Sequence, residues 1–419
     1  MSGITVFNGI IICSGVRKLR ENIIKKIGLR PLFTGLLPFF ILAHCAHHVL
    51  TALPVPMLPM IRTYFNLDYT QSGLLISAFS LSYGLGQLPA GWLADRIGPR
   101  LLVTMGISGV ATAGFFIGTA PSFKMMIPFM ILMGLLGGGY HPSAPPLIAT
   151  SVEPKNLGRA LGFHLLGGNV SFFLTPLVAV TIATVFGWRG PFIVLAIPTF
   201  IFGSLFYVFL GRLDNLKARR AETSESQEET HPISGRYRQL VVIIILGAFT
   251  SAILISTVSF IPLMMVDQFG VSEKTAAVLL SLIYSAGLWA APISGYLSDR
   301  FGRIPVIIAT CFLAAPVVWM LNIFPYGIGT WAVLLALGVS LVARMPVIEA
   351  FVVSKTSVSN RSTILGIYYF SAMESGGLFT PFLGKLIDNF GFYTSFSLAG
   401  IGLFTITLIC SFWLWGNRE

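Results

Sequence analysis

The feature that most constrains this chain is the recurrence of long, nearly uncharged apolar runs, separated by short loops that carry most of the charge. About 20 apolar residues at 1.5 Å per residue cross the hydrocarbon of a bilayer as a helix. Irregular backbone cannot face lipid, so each run must be helical. Runs of this kind lie near residues 32–61, 72–93, 101–120, 124–150, 161–186 and 188–210. Six more lie near 239–266, 276–297, 305–325, 329–354, 363–388 and 394–416. With 10% charged residues in 419, the chain has too few ionic groups to cover a soluble globule of its size. The expected class is an all-α membrane protein of twelve transmembrane helices, in contact with membrane lipids.

A net charge of +11 raises the question of a nucleic-acid partner, and the positions of the charges answer it. Of the 27 Lys and Arg, Arg62, Lys124, Arg189, Lys274 and Lys385 fall on one side of the membrane and Arg344 inside a span. The rest lie in the N-terminal segment, the loops of the other side, the central linker and the tail. Cationic loops resist translocation, so both termini and the linker are expected in the cytoplasm, with the chain a multi-pass protein of the inner membrane. The basic balance reports topology, and no nucleic-acid partner is expected. Residues 1–31 form a cytoplasmic N-terminal segment whose apolar patch, ITVFNGIIICSGV, precedes Arg17, Lys18, Arg20, Lys25 and Lys26. A signal peptide has the opposite order, so the patch is expected to be an interfacial helix. Residues 211–238 are polar and rich in Ser, Thr and Glu, as in a flexible linker, and 417–419 form a cytoplasmic tail. Cys13, Cys45, Cys311 and Cys410 are too widely spaced for a disulfide or metal framework.

The chain also repeats itself. GWLADRIGPR and GYLSDRFGRI place Asp95 and Asp299 204 positions apart. The same offset superposes Asn156, Leu161 and Gly162 on Asn360, Leu365 and Gly366, Pro142 on Pro346, and Phe186, Gly187 and Phe192 on Phe390, Gly391 and Phe396. It sets Tyr140 against Arg344. Two pseudo-symmetric six-helix bundles, 32–210 and 239–416, are the expected result.

Both repeated loops resemble the G-x-x-x-D-R-x-G-R/K-R/K signature of the major facilitator superfamily, each closing the second span of its half. The resemblance implies an alternating-access transporter with a cytoplasmic gate formed by Gly91, Asp95, Arg96, Gly98, Arg100, Gly295, Asp299, Arg300, Gly302 and Arg303. Their carboxylates and guanidinium groups can engage one another or helix termini; the alternative is that the charges only anchor topology. Pro99 stands where a basic residue is usual, which weakens the first latch. The aromatic-His-Pro of Tyr140, His141 and Pro142, within GLLGGGYHPSAPP, is similar to drug exporters of the fosmidomycin-resistance type.

Ionisable groups at membrane depth are costly and mark substrate or ion pathways. His44, His47, His48, His141 and His164 lie in spans of the first half, and Arg344, Glu349 and Glu374 in the second. At 1.5 Å per residue, Arg344 and Glu374 both fall about 15 Å deep, His141 and Asn169 roughly 12 to 14 Å, and Glu349 only about 7 Å. Arg344 and Glu374 are therefore the expected pair, either a coupling switch or a permanent structural ion pair. His44, His47 and His48 share one face of the first span, before Pro54, Pro56 and Pro59. They suit proton or anion handling, or hydrogen bonding between helices. A metal site is not expected, because no carboxylate or thiol constellation accompanies them.

The expected substrate and proton pathway is thus Arg344, Glu374, His141, His44, His48, Asn169 and Tyr140. It serves proton-coupled export of a small amphipathic or anionic organic compound by a monomer without a cofactor. An organic-anion uptake symporter or uniporter is the alternative. A membrane sensor or enzyme would need a catalytic dyad, a metal constellation or an appended soluble domain, and none is evident.

Overall fold

The computed structural model describes residues 6–7, 10–11, 35–153, 156–218, 237–356 and 358–415. The apolar runs are helices. In the first half α1 is Leu37–Phe65, α2 Tyr69–Ile97, α3 Pro99–Thr119, α4 Phe123–Ala149, α5 Leu157–Phe186 and α6 Arg189–Ala218. In the second, α7 is Tyr237–Asp267, α8 Glu273–Phe301, α9 Arg303–Met320, α10 residues 328–355, α11 residues 358–390 and α12 residues 392–415. Ten stretches among the described residues are long and apolar enough to cross a membrane. One of them, Ile367–Leu414, turns at Gly391 (φ 72°) and makes two passes. The more polar α2 completes the twelve.

The duplication is written in the backbone. Six described residues have positive φ, and they form three pairs at the 204-residue offset: Asn66 with Gly270, Gly98 with Gly302 (both at φ 90°), and Gly187 with Gly391. These are turns that L side chains resist. Helix starts repeat as well. Asp68 caps α2 through the backbone of Gln71, and Ser272, 204 positions on, caps α8 through Thr275.

Four spans are interrupted where proline or glycine weakens the hydrogen-bond ladder. α1 breaks between Thr51 and Pro54, α4 between Gly137 and Tyr140, α8 at Ala286–Leu288, and α10 at Ala343. The breaks of α4 and α10 coincide under the repeat, so Tyr140 and Arg344 each open the second segment of their span. The glycines of α4 bring α2 against it: a Cβ on Gly134 would lie 2.0 Å from Ser82 Oγ and 2.5 Å from the Phe79 carbonyl oxygen.

The packing of the two halves is unequal along the membrane normal. On the side away from the linker, one apolar core runs through both halves, from Leu53, Met57 and Ile61 of α1 to Leu254, Ile261 and Met264 of α7 and Leu383 of α11. On the linker side the core divides into two. One cluster belongs to the first half (Phe40, Val103, Tyr140, Phe206) and one to the second (Ile243, Ile307, Ile348, Tyr368). The halves are joined on the far side and parted towards the linker.

Two expectations change. Val6–Phe7 and Ile10–Ile11 pair as short antiparallel strands instead of an interfacial helix. Their β-branched residues flank an Asn-Gly dipeptide, a strong hairpin signal that the apolar patch obscured. The ends of the 211–238 segment are helical, since α6 continues to Ala218 and α7 begins at Tyr237; residues 219–236 lie outside the described residues.

Candidate functional site

The first-half histidines meet because α5 lets α1 approach closely. A Cβ on Gly168 would lie 2.7 Å from His44 Cε1, and one on Gly167 would lie 2.3 Å from the Ile41 carbonyl oxygen. His44 Nδ1 donates to the His164 carbonyl at 2.7 Å, and His164 Nδ1 to the Phe40 carbonyl at 3.1 Å. A carbonyl only accepts, so Nδ1 carries the proton in both rings. His47 is satisfied at both nitrogens: Nδ1 donates to the Gly106 carbonyl at 2.6 Å, and Nε2 accepts from the Tyr83 hydroxyl at 2.8 Å. Gly106 sits in the π-helical turn Met105–Gly109, a geometry that disturbs the helical ladder and frees carbonyls. His48 Nδ1 lies 3.0 Å from Thr51 Oγ1.

The second segment of α4 adds two rings. Tyr140 is fully buried and stacks on His47 (centroids 4.4 Å apart, planes at 7°). Its hydroxyl has no partner among the described residues. His141 stands edge-on to His44 at 5.2 Å and lies 5.4 Å from His48. Hydrogen bonding between helices therefore describes His44, His47 and His164, and the rings of His44, His48 and His141 also converge.

In the second half, Arg344 is 1% exposed. Its guanidinium donates to the Leu341 carbonyl at 2.7 Å and to the Ser251 hydroxyl of α7, with Cys311 and Tyr368 close by. Its Nε has no partner among the described residues. The side chain of Glu374 lies outside the described residues, so the expected ion pair is not among the described contacts. Glu349 sits beside Tyr368 and Tyr369, and Tyr368 also neighbours Arg344. Asn169 reaches across the halves, donating through Nδ2 to the Gly287 carbonyl at 2.9 Å, where α8 breaks.

The loop residues are dispersed. Arg100 donates through Nε to the Tyr207 carbonyl at 2.8 Å and lies over the Tyr207 ring at 3.7 Å, in space left by Gly211. Arg96 covers Trp92 at 4.1 Å, and Arg300 lies 5.4 Å from the Phe301 ring. Asp299 is exposed, Gly295 faces open space and Arg303 begins α9. Gly98 and Gly302 hold the two turns. Gly91 and the Asp95 side chain lie outside the described residues. Each of these described contacts stays within one half.

Contacts between the halves that the sequence did not reveal lie on the far side. Arg62 pairs with Asp267 at 2.9 Å, and the Tyr69 hydroxyl donates to the same carboxylate at 2.8 Å. Asp388 accepts from the Tyr69 and Thr70 backbone N–H groups, each at 2.9 Å, and from the Thr70 hydroxyl at 2.5 Å. Deeper, Ser77 donates to the Gly377 carbonyl at 2.5 Å. These partners are about 200 to 320 positions apart in sequence, and no local pattern joins them.

Comparison with known proteins agrees with this architecture. The Major Facilitator Superfamily family description matches residues 40–379. The multidrug resistance protein MdtG of Citrobacter koseri is 27% identical over 344 residues, 80% of this chain and 82% of that protein. The probable sulfoacetate transporter SauU of Cupriavidus necator is 27% identical over 261 residues, 58% of this chain and 59% of that protein. The probable L-galactonate transporter of Escherichia coli is 32% identical over 137 residues, 33% of this chain and 30% of that protein. The match thus spans less than two thirds of the last two. In three dimensions the chain is similar to a bacterial homologue of the human lysosomal transporter Spinster in an inward-facing, occupied conformation (TM-score 0.72, 17% identity, 91% of this chain and 96% of that one). It is likewise similar to a transporter of the POT family (TM-score 0.76, 13% identity, 91% and 96%). With the repeated loops, twelve spans and paired halves already described, the chain belongs to the major facilitator superfamily and is an integral, multi-pass membrane transport protein.

Proposed function

We infer that the protein is a secondary active transporter that exports a small organic anion in exchange for protons by alternating access, with both termini and the linker in the cytoplasm. The observation that carries this reading is the pair of equivalent helix breaks. At positions related by the repeat, each half buries a polar side chain that leaves one atom without a partner among the described residues, the Tyr140 hydroxyl and Arg344 Nε. Native interiors leave few such atoms, and each calls for an explanation. A carboxylate, sulfonate or phosphonate entering between the halves would satisfy both, with Arg344 supplying a two-pronged donor. Arg344 holds a fixed positive charge at membrane depth, where an anion is the natural complement. In this reading Glu374 carries the proton, and His141, His44, His48 and Asn169 line the path. The divided core on the linker side supports a cavity that opens there, and rocking about the joined far side would reverse it.

The names of the relatives favour one second reading. Sulfoacetate and L-galactonate are anions, and a transporter of such a nutrient would run inward as a symporter or uniporter.

Thermal unfolding of the purified protein against a panel of carboxylates, sulfonates and phosphonates, at two pH values, tests the site, because a ligand stabilises the state it binds. An anion should raise the midpoint of the wild type and leave Arg344→Ala unmoved. An equal shift in the variant would remove Arg344 from the site. For the compound so found, proton gradients imposed in each direction separate export from uptake.

A further inference from the structure

The geometry points to a binding site for a borderline divalent transition metal ion, Zn2+ in class, formed by His44 and His48 of α1 and His141 of α4. One ring nitrogen from each of the three lies within 4.8 Å of the others. The inference is independent of the anion reading, since it needs neither Arg344 nor Glu374.

Proximity alone would not make a site; the hydrogen bonds around the rings do more. The His164 carbonyl fixes the proton of His44 on Nδ1, so Nε2 presents a lone pair. That Nε2 is buried and has no partner among the described residues. Thr51 Oγ1 lies 3.0 Å from His48 Nδ1 and 3.5 and 3.4 Å from the carbonyls of His47 and His48; when its single hydrogen goes to a carbonyl, it accepts from His48 Nδ1 and leaves the second Nε2 as a lone pair. A metal-bound histidine characteristically donates its other nitrogen to a carbonyl or similar acceptor, which sets tautomer and ring direction. His44 already has that outer support in the His164 carbonyl, and the Thr51 hydroxyl can supply it to His48. His141 makes no hydrogen bond through either nitrogen among the described residues, and its ring packs against those of His44, His47 and His48.

Gly168 keeps the space clear. A Cβ there would lie 2.8 Å from His44 Nε2 and 3.1 Å from His48 Cδ2. Tetrahedral coordination at about 2.0–2.1 Å per nitrogen brings ligand atoms to roughly 3.3–3.4 Å of each other. The rings therefore need to close by at most about 1.5 Å, within reach of small χ rotations. Three neutral imidazoles suit Zn2+, Co2+, Ni2+ or Cu2+ and disfavour the oxygen-seeking Ca2+ and Mg2+. They leave a fourth position open and the ion's charge unneutralised, so water or an anion completes the shell. The sequence argued against a metal because no carboxylate or thiol accompanies the histidines. It did not show that α4 folds His141 onto the other two.

The test uses the full-length protein, purified in detergent through an affinity tag without histidine and stripped with a chelator. Titration with Co2+ should give visible absorption bands of a low-symmetry site saturating at one ion per chain, bleached by Zn2+. His48→Gln and His141→Gln should each weaken binding at least 100-fold. Thr51→Val, which touches no ligand atom, should weaken it about 10- to 100-fold, and Thr51→Ser should restore it. Retained binding in His44→Gln/His48→Gln/His141→Gln, or a wild type taking up well under one ion per chain, would overturn the site. Should a variant lose its monodisperse elution profile, X-ray absorption of the Zn2+-loaded wild type decides. Three imidazole nitrogens in the first shell agree with the site; one or none overturns it.

Discussion

Tyr140 and Arg344 show how far single residues have diverged on a duplicated frame. Both are fully buried at the same structural position, yet one joins a stack of imidazoles and the other brings a permanent charge. The glycines around them have testable weight. A Cβ on Gly134 would collide with Ser82 and the Phe79 carbonyl, whereas one on Gly402 meets nothing within 4 Å. Gly134→Ala should cost about 1–3 kcal/mol through overpacking, while Gly402→Ala should be neutral or stabilise by roughly 0.5–1 kcal/mol through lower chain entropy. Thermal unfolding of both variants in one detergent checks this, and the account fails if Gly134→Ala melts no lower than Gly402→Ala. The cost of burying ionisable groups in a membrane made Arg344, His44, His48 and His141 visible in the sequence. Thr51, Tyr83, Gly106 and Ser251 were not visible, because serine, threonine, tyrosine and glycine are common in spans, and only the fold shows which ring or guanidinium each meets.

At the scale of elements, the start of α2 is held by both halves. Asp68 and Gln71 form a capping box from within the helix, and Asp388 of α11 takes the next two N–H groups from outside. A carboxylate at a helix N-terminus gains from the unsatisfied N–H groups and the helix dipole. The Arg62–Asp267 pair beside it is about a quarter exposed and adds little by itself. Asp388→Ala should therefore loosen the far-side closure by about 1–2 kcal/mol. Spin labels placed near the far-side ends of α2 and α11 should report a longer, broader distance distribution than in the parent protein. An unchanged distribution would show that the shared apolar core alone keeps that side shut. The helices, the repeat and the glycine turns were legible because apolar length and a constant offset are properties of the chain itself. The Val6–Phe7 and Ile10–Ile11 pairing was missed because an apolar patch of mixed propensity was assigned from its length and flanking charge. The Asn-Gly between the strands was the overlooked signal.

Across the whole molecule, the apolar core decides what can move. A single core on the far side ties the halves together, and two separate cores on the linker side let each half hold its own shape while parted. That combination allows rocking without unfolding either bundle. It places the equivalent breaks of α4 and α10 on the parted side, at the margins of the cavity an anion would enter. The central proposal is that an organic anion binds Arg344 and exchanges against a proton carried by Glu374. Its most direct measurement is proton movement in proteoliposomes holding a pH-sensitive dye, on addition of an anion that stabilises the wild type, under a pH gradient. The account predicts anion-dependent proton flux in the wild type and its loss in both Arg344→Ala and Glu374→Gln. Wild-type flux in both variants, or no proton movement with an anion the wild type binds and transports, would contradict it.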